Sequence, residues 1–172
     1  MAKLIGSVLI LSACIGYAGA LAEKQEYHRD VLLSLIRILS LLAGEIRYER
    51  LTMAEALGRL TEKYHGPAGE VMKKIADRLR EASCGDLESV WRFYFQNEQR
   101  RLMLSGEELD ILLETGRNLG YLDAEAQVSH LHRCRERLEQ KLEEAEKVMA
   151  EKRRLYAYLS VAVGVMVILV LL

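Results

Sequence analysis

The sequence predicts an all-α protein: an antiparallel bundle of about six helices set between an N-terminal and a C-terminal transmembrane helix. Three observations carry this. One proline, Pro67, stands in 172 residues that are rich in Leu, Glu, Arg and Ala, so nothing punctuates the chain as an all-β fold would. Helix-start and helix-stop residues recur at helical spacing through the middle of the chain. The charges are partitioned: of 49 acids and bases, only Lys3 lies in residues 1–22 and none in 155–172. The mean hydropathy of +0.00 is therefore a cancellation between two apolar ends and a centre in which about a third of the residues are charged.

The division this implies is a short tail at 1–3, a first span at 4–22, a helical bundle at 23–154 and a second span at 155–172. At 1.5 Å per residue, uncharged runs of 19 and 18 residues reach about 27–28 Å, close to the hydrocarbon thickness of a bilayer. Ser12, Gly16 and Ala20 recur every fourth residue, and Ser160 and Gly164 repeat the spacing. Small residues at that period let helix backbones pack closely in lipid, although chance in a Gly/Ala-rich span gives the same pattern. Self-association is left open. Two other readings compete for the first segment: a secretory signal ending at Ala18-Gly19-Ala20, or a lipobox at Leu11-Ser12-Ala13-Cys14. Against the lipobox, the apolar run continues well past Cys14. Lys152, Arg153 and Arg154 also abut the second span, with Lys24 and Arg29 after the first, and bases at membrane ends mark the cytoplasmic side. The bundle is expected in the cytoplasm.

Within the bundle, residues 23–50 read as one helix continuing from the first span. Residues 31–43 are almost wholly apolar yet too short to cross a bilayer, so they should be buried on most sides, leaving a narrow polar stripe at Asp30, Ser34 and Arg37. Thr52 with Glu55 forms a capping box that opens a second helix through about Tyr64. His65-Gly66 closes it, and Pro67 suits the first turn of a third helix reaching about Ala82. Cys84-Gly85 breaks the chain, and Asp86 opens a fourth helix carrying Trp91, Phe93, Tyr94 and Phe95, an aromatic stripe read as core rather than a ligand cage. Ser105 with Glu108 is a second capping box, for a fifth helix ending at Leu119-Gly120. Asp123 caps the last helix, where Leu131, Leu138, Leu142, Ala145 and Met149 follow a coiled-coil-like 3–4 spacing with Arg135 at one expected apolar position.

Catalytic motifs are missing. Gly116-Arg117-Asn118-Leu119-Gly120 lacks the lysine-serine pair of a phosphate loop, and there is neither an HExxH nor a Glu-x-x-His pair. His130 and Cys134 share a helix face without a third ligand nearby. Three widely spaced cysteines, Cys14, Cys84 and Cys134, suit a reducing compartment better than a disulfide framework. The net charge of −1 exerts no general pull on nucleic acid. The residues thus suggest a tethered bundle with no enzyme activity, no cofactor and no bound metal, acting in binding or scaffolding.

Several stretches, in order, resemble the bacterial stage III sporulation protein AB family. Glu45-Ile46-Arg47-Tyr48 is followed by Met53-Ala54-Glu55-Ala56-Leu57, then Glu108-x-x-x-Leu112 and Gly116. Leu119-Gly120-x-x-Asp123-x-x-x-Gln127 is the most family-like, and Glu144-Ala145, Lys152, Tyr156 and Gly164 complete the series. The chain departs from the family where Glu49-Arg50-Leu51-Thr52 lacks the usual Thr-Pro, and where Tyr156-Ala157-Tyr158-Leu159-Ser160 lacks the Leu-Gly common before the second span. The resemblance implies a helical domain like that of the type II secretion and type IV pilus inner-membrane platform protein. It also implies a place in the assembly joining mother cell and forespore, in the mother-cell membrane. Its expected partners are a secretion-type ATPase resembling stage III sporulation protein AA, other sporulation channel proteins and membrane lipid. Glu45, Arg47, Tyr48, Asp123 and Gln127 are the candidate contact residues. The competing reading is that Asp123 only caps its helix and that Glu45 or Gln127 only satisfies the bundle interior. A structural scaffold or lipoprotein without ATPase contact remains the alternative.

Overall fold

The computed structural model describes the backbone of residues 2–49, 51–81, 86–119 and 123–171, and within these the side chains from 22 to 152. Among the described residues no helix is long and apolar enough to cross a membrane. The side chains of the expected spans at 4–22 and 155–172 lie outside the described ones but for Ala22, and so do those of Ser12, Cys14, Gly16, Ala20, Ser160 and Gly164; the Cys84-Gly85 break and Gly120 lie outside the described residues altogether.

Helix α1 (Ala2–Gly44) is followed by a π-helical turn (Glu45–Glu49), then by α2 (Met53–Lys63), α3 (Pro67–Arg80), α4 (Leu87–Glu98), α5 (Gly106–Leu119) and α6 (Ala124–Leu171). The local signals explain most of these boundaries. At Thr52 the capping box closes in both directions: the Glu55 backbone N–H donates to Oγ1 at 3.4 Å, and the Thr52 N–H donates to Oε2 of Glu55 at 3.0 Å. Pro67 begins α3 behind Gly66, whose φ of 107° lies where a side chain would be strained. The Ser105 box is likewise complete, with its N–H 2.8 Å from Glu108 Oε2.

Cross-links give the topology. Lys74 meets Glu98, Arg117 meets Glu88, Arg137 meets Glu114 and Arg29 meets Glu146, so α3, α4, α5 and α6 alternate in direction and α6 returns alongside α1. The bundle segments of α1 and α6 consequently reach their outer limits, near residues 22 and 152, at the same end.

Helix α1 is the axis of the core. Leu32, Leu35, Ile38, Leu39, Leu42 and Ile46 are each at most 2% exposed, and burial of such side chains contributes about 1.5–3 kcal/mol apiece. Asp30 and Arg37 face outward as expected, and Leu41 joins their stripe at 38% exposure.

Three details depart from the sequence reading. The α-helix stops at Gly44, and residues 45–49 wind as a π-turn instead of continuing to Arg50. The aromatic stripe of α4 splits because its residues are nearly consecutive: Trp91 and Phe95, four apart, are buried, whereas Phe93 is 60% exposed. On α6 the seam residue is Cys134, buried between Leu131 and Leu138, while Arg135 is only partly covered and reaches toward Glu139. A one-residue shift keeps the 3–4 spacing (131, 134, 138) and places the cation at the edge.

Candidate partner-docking site

The end of the bundle remote from residues 22 and 152 is assembled from the π-turn, the following loop and the start of α6. A π-turn holds one more residue per hydrogen-bonded ring than an α-helix, and such turns recur at functional positions. Here the turn buries Ile46 and leaves Arg47, Tyr48 and Glu49 in solvent. An open cleft of about 1060 Å³ lies between it and α6, with Ile46, Arg47 and Leu51 on one wall and Asp123, Gln127 and His132 on the other. The floor is apolar, from Ile46 and Val128, and the rim carries charge of both signs.

Of the five candidate contacts, the fold brings Arg47, Asp123 and Gln127 into this one cleft, with Tyr48 next to Arg47 on the turn. Their environments divide them. Asp123 Oδ1 accepts from the Ala126 N–H at 2.8 Å, capping α6. Gln127 Nε2 donates to the Leu119 carbonyl at 2.9 Å, satisfying one of the carbonyls left open at the end of α5. Glu45 is half-buried and turns away from the cleft, accepting from Arg59 on α2 at 3.4 Å. These three maintain the fold. Arg47 and Tyr48 do not: the guanidinium lies 5.9 Å from the Tyr48 ring centroid, a cation–π arrangement, and Tyr48 is 79% exposed. Both are amphipathic groups standing in water.

At the opposite end a residue pair that sequence reasoning did not foresee holds α1 to α5. Glu108 is almost fully buried, and its Oε2 accepts from both the Ser105 N–H and His28 Nε2, the latter at 3.0 Å. Burial pushes the Glu108 pKa up, yet the His28 and Ser105 bonds outweigh it and hold the carboxyl below its ordinary value. The same bond raises the pKa of His28 against the desolvation that would lower it. Glu108 was legible as the acid of the Ser105 capping box, but its partner His28 is 80 residues away.

Cys134 points into the core, where burial pushes its thiol up to about 11, so the thiolate a metal would require is disfavoured. Among the described residues no group of three or more His, Cys, Asp or Glu is placed to hold a metal ion.

The family profile described as "Stage III sporulation protein AB" matches residues 3–172. The chain belongs to the stage III sporulation protein AB family. The family member of Bacillus subtilis (strain 168) is 23% identical over the full length of both chains. A solved structure of stage III sporulation protein AB superposes with a TM-score of 0.66 at 21% identity, covering 73% of this chain and 98% of that one. The family implicates the chain in sporulation, and its name carries a developmental stage and no reaction.

Proposed function

We propose that the protein is a non-enzymatic platform component of the channel between mother cell and forespore, docking a secretion-type ATPase through the cleft end of its bundle. In this reading residues 4–22 and 155–172 anchor it in the mother-cell membrane, in contact with lipid and with other channel proteins. Residues 23–154 form its cytoplasmic domain. The observation that supports docking most is the position of Arg47 and Tyr48. They are exposed at the end of the bundle opposite to residues 22 and 152, roughly 35 Å along α1 from the apolar segment at 1.5 Å per residue. That is several Debye lengths from any headgroup charge, within reach of a large cytoplasmic partner. Exposed Arg and Tyr are also the residue types that dominate the energetics of protein interfaces.

The test is co-purification of the sporulation ATPase with the full-length chain. Arg47→Glu with Tyr48→Ala is expected to weaken capture about tenfold or more, as loss of an interface hot spot does, while far-UV circular dichroism is unchanged. Undiminished capture would remove the cleft end from the docking surface and leave the structural scaffold. Topology reporters at Arg80 and at the C-terminus should read cytoplasmic and external, respectively. An external reading at Arg80 would end the platform reading altogether.

A further inference from the structure

At the end of the bundle near residues 22 and 152, two turns lie side by side. Arg101 pairs with Glu70, which brings the turn between α4 and α5 against the start of α3 and so against the α2–α3 turn. The α4–α5 turn is pinned to a known height on α1. Tyr27 Oη donates to the Arg101 carbonyl at 2.9 Å, and His28 holds Glu108 in the first turn of α5. Tyr27 lies five residues beyond the apolar 4–22 segment, about 7–8 Å along the helix axis. The polar headgroup layer on each face of a bilayer is itself about 5–7 Å deep. A turn at this height, carrying long side chains, is within reach of the lipid surface if α1 continues into the membrane.

The chemistry of the turn suits such a surface. Residues 99–105 contain no acid, and Arg100, Arg101 and Met103 are all exposed. Arg101 is engaged by Glu70 and Glu98, whereas Arg100 makes no ion pair among the described residues. Lys63 adds an exposed cationic group from the adjoining turn, beside Glu62, and His65 is exposed next to it. Met103 is the unusual member. Its φ of 52° is in the left-handed region, which a side chain other than glycine rarely adopts, and it is 41% exposed between Leu102 and Leu104, both buried. The backbone is thus strained in a way that turns an apolar, flexible side chain outward between two anchored neighbours. Strain retained at an exposed apolar tip points to a contact made there.

We propose that the α4–α5 turn rests on an anionic bilayer surface, with Met103 entering the interface and Arg100 meeting lipid phosphate. This rests on the reading of residues 4–22 and 155–172 as membrane spans, and the test separates the two. The full-length chain carrying Met103→Trp is reconstituted in phosphatidylcholine vesicles with and without phosphatidylglycerol, and quenching is recorded with lipids brominated near the headgroup for position 103 and near the end of the acyl chain for position 163. The native Trp91 is buried and supplies a constant background. Val163→Trp, in the second apolar segment, reports insertion independently. Both tryptophans are expected to be quenched, that at position 103 more strongly with phosphatidylglycerol. Adding Arg100→Glu should lower the ratio of docked to undocked turn at least about fivefold, the effect of one base at an anionic surface. Quenching at 163 without quenching at 103 would overturn the docking of the turn and leave the spans standing. Quenching at neither would overturn both. Quenching at 103 indifferent to phosphatidylglycerol and to Arg100→Glu would overturn the anionic recognition.

Discussion

The two ends of the bundle are held by different kinds of contact. Near residues 22 and 152, side chains far apart in sequence are joined: Tyr27 to Arg101, His28 to Glu108 and Arg29 to Glu146. At the cleft end the bonds are mostly local, each closing a helix terminus or tying a turn to the next helix: Thr52 with Glu55, Asp123 with Ala126, Gln127 with Leu119 and Glu45 with Arg59. The first pattern clamps α1, α5 and α6 against one another. Among the described residues, Arg47 and Tyr48 take part in none of these bonds. A protein that docks a partner at one end and is held at the other would be divided in this way.

The largest effect should come from breaking the clamp. Glu108→Ala removes a buried acceptor that serves two donors, leaving His28, whose side chain is 22% exposed, and the Ser105 N–H without it. Losing one partner of a buried pair costs about 3–5 kcal/mol, and partial exposure of His28 sets the lower end, about 3 kcal/mol. Thermal unfolding of the full-length protein in detergent measures it. The dependence on pH gives an independent signature. Because His28 has a raised pKa in the folded state, its contribution is complete below the ordinary histidine value and is lost as pH rises through the raised one. Because Glu108 has a lowered pKa, its contribution is complete above the ordinary glutamate value and is lost as pH falls through the lowered one. The pair therefore stabilises fully between about pH 4.3 and about 6.5 and progressively less on either side. A variant lacking Glu108 should lose that maximum. If the wild-type Tm falls no more steeply than that of the variant on either side of this range, the pair is not ionised in the fold.

An intermediate effect is expected at Gly116, which belongs to neither end. A Cβ built there would stand 2.3 Å from Cδ1 of Trp91, the ring that fills the space between α4 and α5 and donates its indole N–H to the Leu112 carbonyl at 2.8 Å. Replacing glycine by alanine within a helix normally gains about 1 kcal/mol. Here the ring must move, and overpacking costs about 1–3 kcal/mol, so Gly116→Ala should destabilise by about 1–2 kcal/mol. A stabilised Gly116→Ala would mean that Trp91 is not seated on that glycine.

The contrast between the ends also explains what the sequence could reveal. Capping boxes, the proline at the start of α3 and the apolar run of α1 are local, and they located the helices to within a few residues. The division of the aromatic stripe was recoverable from spacing alone, since Phe93 cannot share a face with both Trp91 and Phe95. The exchange of Arg135 for Cys134 in the α6 seam needed only a one-residue shift of the same pattern. The His28–Glu108 clamp was not recoverable. It depends on where α5 lies against α1, a consequence of the whole packing that no short window of residues encodes. The five candidate contacts came from family-like stretches, and such stretches mix residues that build a turn with residues that the turn presents. Asp123, Gln127 and Glu45 each make a hydrogen bond that helps to build the turn or helix end they stand on.

The smallest effects on stability should fall at the cleft, and there they separate the two roles. Asp123→Ala removes the side-chain acceptor at the start of α6 and should cost about 1 kcal/mol, the usual value of a helix cap. Arg47→Glu touches an exposed residue with no hydrogen bond to the other described side chains, so stability should change by no more than about 0.5 kcal/mol. The order reverses for partner capture: Arg47→Glu should weaken it strongly, and Asp123→Ala only as far as α6 frays. Melting and co-purification measured on the same two variants therefore give opposite rankings if Arg47 is presented and Asp123 is structural. If Asp123→Ala abolishes capture while its Tm falls by only the cap's share, then Asp123 touches the partner as well, and the docking surface extends across the cleft onto α6.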